Sequence, residues 1–255
     1  MCEAGSRGRG ARRRTGLAVA LMAAVLALPA AAHDATTIVR KTDEIRNPAP
    51  SYTVDVEIVA EQPGEAPTIG RYVVSMKDRV KSLIKFTDPP TEKGKLLLMV
   101  RQDMWYWAPT INRPIRISPL QRLLGQVSNT DIARANYSED YEARLIGSEW
   151  VENRDCHVLD LRAKDEEISY HRIRYWVEKE TFQPVKADYF ALSDRLLKTA
   201  VFGAPRVSVG RLRPAELVIR DATRRDWVST VRYSNTRVVT LSDSLFRQES
   251  LRSVR

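Results

Sequence analysis

Cys156 and His157 are the first residues that suggest chemistry, because a thiol beside an imidazole is the raw material of a nucleophile or a metal site. Their spacing works against both readings. Neighbours on a strand point to opposite faces, so the two cannot share one metal ion. The other histidines are His33 and His171, and none stands in a paired ligand spacing such as Cys-x-x-Cys or His-x-x-x-His. The acidic run Asp165-Glu166-Glu167 offers adjacent carboxylates for acid/base work, yet consecutive acids in a polar turn read better as a solvated hairpin tip. There is no Gly-x-Ser-x-Gly elbow, phosphate loop or dinucleotide fingerprint. Asn136-Tyr137-Ser138 matches a glycosylation sequon, which matters only in an endoplasmic reticulum. No catalytic residue, cofactor or metal is therefore expected.

The aromatic residues carry more signal. Trp105 and Trp107 share one face of a strand with Tyr106 opposite, and Trp150, Trp176 and Trp227 lie on or beside other expected strands. Such side chains either fill a core or line a broad, unspecific apolar cavity.

The elements that must position these residues are mostly strands. A short segment has helical spacing at Ile38, Val39, Thr42 and Ile45 and stops at Asn47-Pro48. The period then changes to two: Val54, Val56 and Ile58 alternate with Thr53, Asp55 and Glu57. Similar runs follow at 68–77, 79–87, 95–101, 104–108, 142–149, 155–163, 168–178, 184–192, 195–202, 212–221, 226–233 and 235–240, with tight turns between them, so about eleven or twelve antiparallel strands are expected. One interruption, 118–136, opens like an N-cap at Ser118-Pro119, carries Leu120, Leu123 and Leu124 at helical spacing, and offers a second helix start at Asn129-Thr130-Asp131. A sheet this large must hide a face and its edges, by closing as a barrel or under helices.

The chain has 255 residues with 41 Lys and Arg against 32 Asp and Glu, a net +9, which suits one soluble domain. The basic excess is concentrated at the start. Arg7, Arg9, Arg12, Arg13 and Arg14 precede an uncharged run from Leu17 to Leu28 and a small-residue site at Ala30-Ala31-Ala32. Residues 1–32 thus read as a signal peptide cleaved after Ala32, by a Sec or twin-arginine route, leaving 33–255 as one exported domain carrying about +5. The remaining charge is interspersed, which argues against nucleic acid as a partner. Cys2 leaves with the signal, so Cys156 has no intramolecular disulfide partner.

Residues 86–141 contain Phe86-x-x-Pro89, Lys93-Gly94, Leu97-Leu98, Met104-Trp105-Tyr106-Trp107-Ala108-Pro109, Arg116-Ile117, Ser128-x-x-Asp131 and Asp140-Tyr141. This pattern, with Cys156 to Leu161, Trp176 before Pro184, Ala187-Asp188-Tyr189 and Lys198, resembles the outer-membrane lipoprotein-sorting family, relatives of the periplasmic carrier LolA. Two departures concern the lid: Arg116 stands alone where adjacent basics are common, and Ser128-Asn129-Thr130-Asp131 lacks the usual Gly.

The resemblance implies a mainly β (α+β) fold: an incomplete antiparallel β-barrel of about eleven strands with a helical lid and an N-terminal helix over an apolar interior. It implies a periplasmic carrier that shelters the acyl chains of a lipoprotein or lipid and moves them toward the outer membrane. An inner-membrane exporter or an outer-membrane acceptor would be its protein partners, and a monomer is expected. Each buried methylene is worth about 0.8 kcal/mol, so a chain of roughly 16 carbons gains on the order of 10 kcal/mol with no catalytic group. Candidate cavity or lid positions are Val54, Val56, Ile58, Val73, Leu97, Met99, Trp105, Trp107, Leu120, Leu123 and Leu124, with Arg116 for a headgroup phosphate or a partner's carboxylate. Alternation alone does not say which strand face is concave. The alternative is a sensor or adaptor that binds a membrane protein complex and transports nothing, marked by a filled interior and an exposed apolar patch elsewhere.

Overall fold

The structure is a computed structural model that describes Met1 and residues 34–134 and 136–254. The export segment expected over residues 1–32, apart from Met1, and His33 lie outside the described residues. No helix among the described residues is long and apolar enough to cross a membrane.

Helix α1 (Ala35–Arg46) starts where Asp34 accepts a hydrogen bond from the Thr37 amide at 2.9 Å, and buries Ile38, Val39, Thr42 and Asp43. Strands β1 (Ser51–Glu61), β2 (Thr68–Lys77), β3 (Lys81–Asp88), β4 (Leu96–Val100), β5 (Asp103–Trp107) and β6 (Ile115–Ile117) follow as a meander. The chain then makes a separate hairpin, β7 (Arg122–Leu124) and β8 (Val127–Ser128), and two short helices, α2 (Asn129–Ala133) and α3 (Tyr137–Asp140). A second run comprises β9 (Tyr141–Val151), β10 (Arg154–Ala163), β11 (Arg172–Glu178), β12 (Pro184–Phe190) and β13 (Leu196–Phe202). A hairpin of β14 (Pro205–Ser208) and β15 (Arg211–Pro214) leads to β16 (Glu216–Asp221) and β17 (Val228–Val238).

The main sheet has the order β6-β5-β4-β3-β2-β1-β17-β16-β13-β12-β11-β10-β9, every pairing antiparallel. The first and last strands therefore meet in its middle, and β6 and β9 remain as free edges, so the sheet is open. Leu97 and Met99 from one end share a single cluster with Leu159 and Leu161 from the other, which requires a strongly curved sheet. In β1 the expected alternation holds: Tyr52, Val54, Val56, Ile58 and Ala60 are buried. Along β9 the register slips, leaving Ile146 as an extra residue between the Gly147–Val158 and Leu145–Leu159 pairs.

The strand count differs from the expected eleven or so: thirteen strands form the main sheet and four more the two hairpins, among the described residues. The β7–β8 hairpin stands where a helix is expected, and three further local differences, two raising the count and one lowering it, make up the rest. The run 212–221 breaks after Pro214, which has no amide to donate. The runs 226–233 and 235–240 fuse into β17, because Asn235 takes a left-handed φ of 49° without turning the chain. The three- and four-residue strands β6 and β14 are too short for alternation to show.

Candidate functional site

The last turn of α1 carries Arg46, one turn beyond Thr42 and two beyond Ile38 on the buried stripe of the helix. Its guanidinium lies 4.7 Å from the Tyr137 ring centroid and 5.6 Å from that of Phe202. Nη1 of Arg46 is buried without a hydrogen-bond partner. Arg213, on β15, reaches the same place and donates to the carbonyls of Ile45 at 3.2 Å and Arg46 at 2.6 Å, capping the negative end of the helix. Between them lies a cavity of about 60 Å³, lined by Arg46, Tyr52, Val54, Val56, Val74, Met76, Asp131, Ile132, Phe202, Arg213, Pro214 and Tyr233. It sits on the concave face of the central strands.

The surroundings are rich in tyrosine. The Tyr137 and Tyr189 hydroxyls are 3.0 Å apart, and the Tyr170 and Tyr189 rings meet at a tilt of 48° with centroids 4.6 Å apart. Burial pushes the Tyr170 and Tyr189 phenols well above their ordinary range, so they act as neutral donors. Asp43 is buried on α1 and accepts from the Ser138 amide at 2.7 Å. Burial pushes its carboxyl up to about 6, opposed by the Ser138 hydrogen bond and the nearby Arg46 charge.

The 118–136 segment covers part of the inner face of the sheet and reaches the cavity wall through Asp131 and Ile132. The expected helix over Leu120, Leu123 and Leu124 is replaced by the β7–β8 hairpin. Pro119 and Gly125 confine the stretch to five residues, so the leucines have no room for the longer helix that their spacing suggests. Gly125 instead takes a φ of 56° and places the turn against β1 and β17, where the Gln126 amide donates to Ser229 Oγ at 2.8 Å. A Cβ on Gly125 would clash with Ser229 Oγ and meet Ala60 Cβ at 2.5 Å. The expected second helix start at Asn129 is present as α2, entered where the Ser128 amide donates to Asp131 Oδ2 at 2.8 Å. Asp131 also accepts from the Tyr170 hydroxyl at 2.8 Å and forms an ion pair with Lys198 of β13. Burial lowers the Lys198 ammonium below its ordinary range, against the pull of Asp131. Ser128, Asp131 and Lys198, far apart in sequence, thus converge at the base of the cover.

The structure separates the candidate residues. Val54 and Val56 line the cavity, and Ile58, Leu97 and Met99 belong to the interior cluster. Leu123 and Leu124 pack against that cluster from the hairpin, while Leu120 is exposed. Three placements are corrected. Val73 lies on the outer face opposite Asp55, because Tyr72, Val74 and Met76 take the inner one. Trp105 and Trp107 also face outward, since Met104 and Tyr106 occupy the inner side of β5. The two tryptophans pack with Leu83, Leu96 and Leu98 beneath Phe246 and Leu251 of the C-terminal tail. Arg116 is 69% exposed and ion-paired with Asp103 on the neighbouring strand, so it stands away from the cavity. Cys156 is buried with Val158, Trp176 and Val185 on the outer face, where burial pushes its thiol up to about 11.

Sequence reasoning missed Arg46, Arg213, Tyr52, Phe202 and Tyr233. Arg46 had a readable signal, a charged residue continuing the apolar i, i+4 series from Ile38 through Thr42.

A family model described as an uncharacterized protein matches residues 78–253. Among solved structures, a LolA superfamily protein from Nitrosomonas europaea is 37% identical, with a TM-score of 0.81, 86% of this chain covered and 99% of that one. A DUF1329 family protein from Desulfovibrio piger is 24% identical, with a TM-score of 0.74 and coverage of 85% and 97%. An outer-membrane lipoprotein-sorting protein domain from Vibrio parahaemolyticus is 18% identical, with a TM-score of 0.72 and coverage of 86% and 98%. The last two likenesses are of fold alone. No curated protein matches the chain.

Proposed function

The chain belongs to the LolA superfamily, and from that premise we propose that it is a periplasmic, monomeric, non-enzymatic carrier that holds acyl chains of a lipoprotein or lipid against the concave face of its sheet and moves them toward the outer membrane. The observation that carries the reading is the cavity walled by Arg46 of α1, Arg213 of β15 and Asp131 and Ile132 of α2, and floored by the apolar rows Val54, Val56, Val74 and Met76. At about 60 Å³ it is smaller than the roughly 300–1,000 Å³ of ligand sites, so loading requires the wall formed by Asp131 and Ile132 to move away. The 118–136 segment is suited to that: it lies outside the main sheet and docks on it through Leu123, Leu124 and Val127 together with the Gln126–Ser229 hydrogen bond and the Asp131–Lys198 ion pair. An inner-membrane exporter would load the carrier, or an outer-membrane acceptor unload it.

One observation favours a sensor or adaptor instead. The interior is nearly filled, while Leu145, Ile146 and Trp150 are exposed along the edge strand β9, Trp150 at 75%. Native mass spectrometry of the protein purified from the periplasm, with extraction and identification of bound lipid, separates the two. A stoichiometric lipid adduct is expected for the carrier. A protein that stays lipid-free and takes up nothing from liposomes would leave the adaptor reading.

A further inference from the structure

A carrier of plain hydrocarbon needs no charge in its interior, yet two guanidinium groups line this cavity. Among the described residues neither Arg46 nor Arg213 has a carboxylate within ion-pair range, while Asp131 in the same wall is taken by Lys198. Arg213 is 9% exposed. Its hydrogen bonds go to backbone carbonyls, and Arg46 rests against the Tyr137 and Phe202 rings. These are dipoles and quadrupoles and do not cancel the charge. Burying a cation without a counter-ion is costly, and the buried, unpartnered Nη1 of Arg46 adds an unmet donor. The open space beside it, about 60 Å³, exceeds the roughly 10–15 Å³ that a single water needs.

We infer that the cavity is an anion site for the acidic head of an amphiphile, a carboxylate or a phosphate ester, held between Arg46 and Arg213 with its chain running along Val54, Val56 and Val74. The inference rests on the acyl-carrier reading and narrows its ligand class. A planar guanidinium matches both acids through paired N–H donors, and Tyr233 in the same wall carries a phenol that burial keeps neutral. Asp43, the nearest acid on α1, lies outside ion-pair range and leaves the cavity net positive.

The test compares probes that share a chain and differ in the head. Palmitate, palmitoyl lysophosphatidic acid and hexadecanol are titrated into the delipidated protein by calorimetry. At least one acid should bind about tenfold or more tighter than the alcohol, the gain expected of a charged hydrogen bond. The tighter acid identifies the head as carboxylate or phosphate. In Arg46→Met the preference should fall to about parity while hexadecanol binding is kept, which also reports that the variant is folded. Arg46→Gln is the second variant and should show the same loss. Equal binding of acid and alcohol by the wild type, or a preference that survives both substitutions, overturns the anion site and leaves the carrier intact. If no probe binds at all, the carrier reading fails with it.

Discussion

Lys198 and Asp131 form an ion pair almost wholly removed from water, with side chains 8% and 4% exposed, and it joins the middle of β13 to the first turn of α2. Two desolvated charges attract strongly only while both are present. Asp131→Asn or Lys198→Met should each cost about 3–5 kcal/mol, because each strands the other charge. The uncharged double replacement, Lys198→Met with Asp131→Asn, which keeps an acceptor for the Ser128 amide and the Tyr170 hydroxyl, should cost less than either single change. Urea unfolding of the three variants checks the ordering, and a double variant weaker than both singles would show that the pair itself is a net source of stability.

The turn at Gly125 fixes how closely the cover approaches the sheet. Gly125→Ala adds a methyl where Ser229 and Ala60 already stand and asks alanine for a positive φ. A cost of about 1–3 kcal/mol is expected, confined to the hairpin. Hydrogen exchange should rise in residues 118–128 and stay unchanged in β1 and β17. A uniform loss of protection would mean that the cover and the sheet unfold as one unit.

Asp43 should make stability fall with rising pH. Its carboxyl is raised from 3.8 to about 6, burial being the main cause, so the folded protein holds the proton more tightly than the unfolded chain. The associated stability is fully present below about pH 4 and is lost as pH rises through about 6. Asp43→Asn, which mimics the protonated side chain and keeps an acceptor for the Ser138 amide, should be more stable than wild type at pH 8 by about 2 kcal/mol and nearly equal at pH 4. Thermal unfolding across pH 4–8 reads this directly; parallel curves for the two proteins would contradict it.

The inner and outer faces should respond differently to substitution. Val54→Phe adds bulk in the cavity wall and should lower lipid uptake from liposomes several-fold at a cost of about 1–3 kcal/mol in stability. Trp105→Ala removes packing beneath the C-terminal tail and should leave uptake near wild type while making residues 241–254 easier to proteolyse. A reversal of these two outcomes would place the lipid on the convex face.

What could be read from the residues was whatever repeats. Alternation along β1 named the inner row Val54, Val56 and Ile58, and helical spacing named α1. Where both faces of a strand are apolar the pattern is silent: Val73 and Val74 are adjacent, as are Met104 and Trp105, and only packing against a neighbour decides which turns inward. The cover was misread for a related reason. Leu120, Leu123 and Leu124 fit a helix, but Gly125 gains more by docking on Ser229, a residue about a hundred positions away. Arg46 and Arg213 escaped because charge normally marks the surface, and both reach the interior only through the meeting of α1 with β15.

The open sheet leaves β9 with a row of backbone donors and acceptors that no strand among the described residues uses, and an unused row of this kind invites another molecule's strand and, with it, aggregation. Two devices make it a poor template. The extra residue Ile146 breaks the regular spacing halfway along, so an incoming flat strand cannot stay in step. Glu142 and Arg144 before that break and Glu149 after it set charges along the strand, which penalises most registers of a second copy. An open sheet must keep its edges, and the irregularity of β9 turns one of them into a poor seat for a foreign strand.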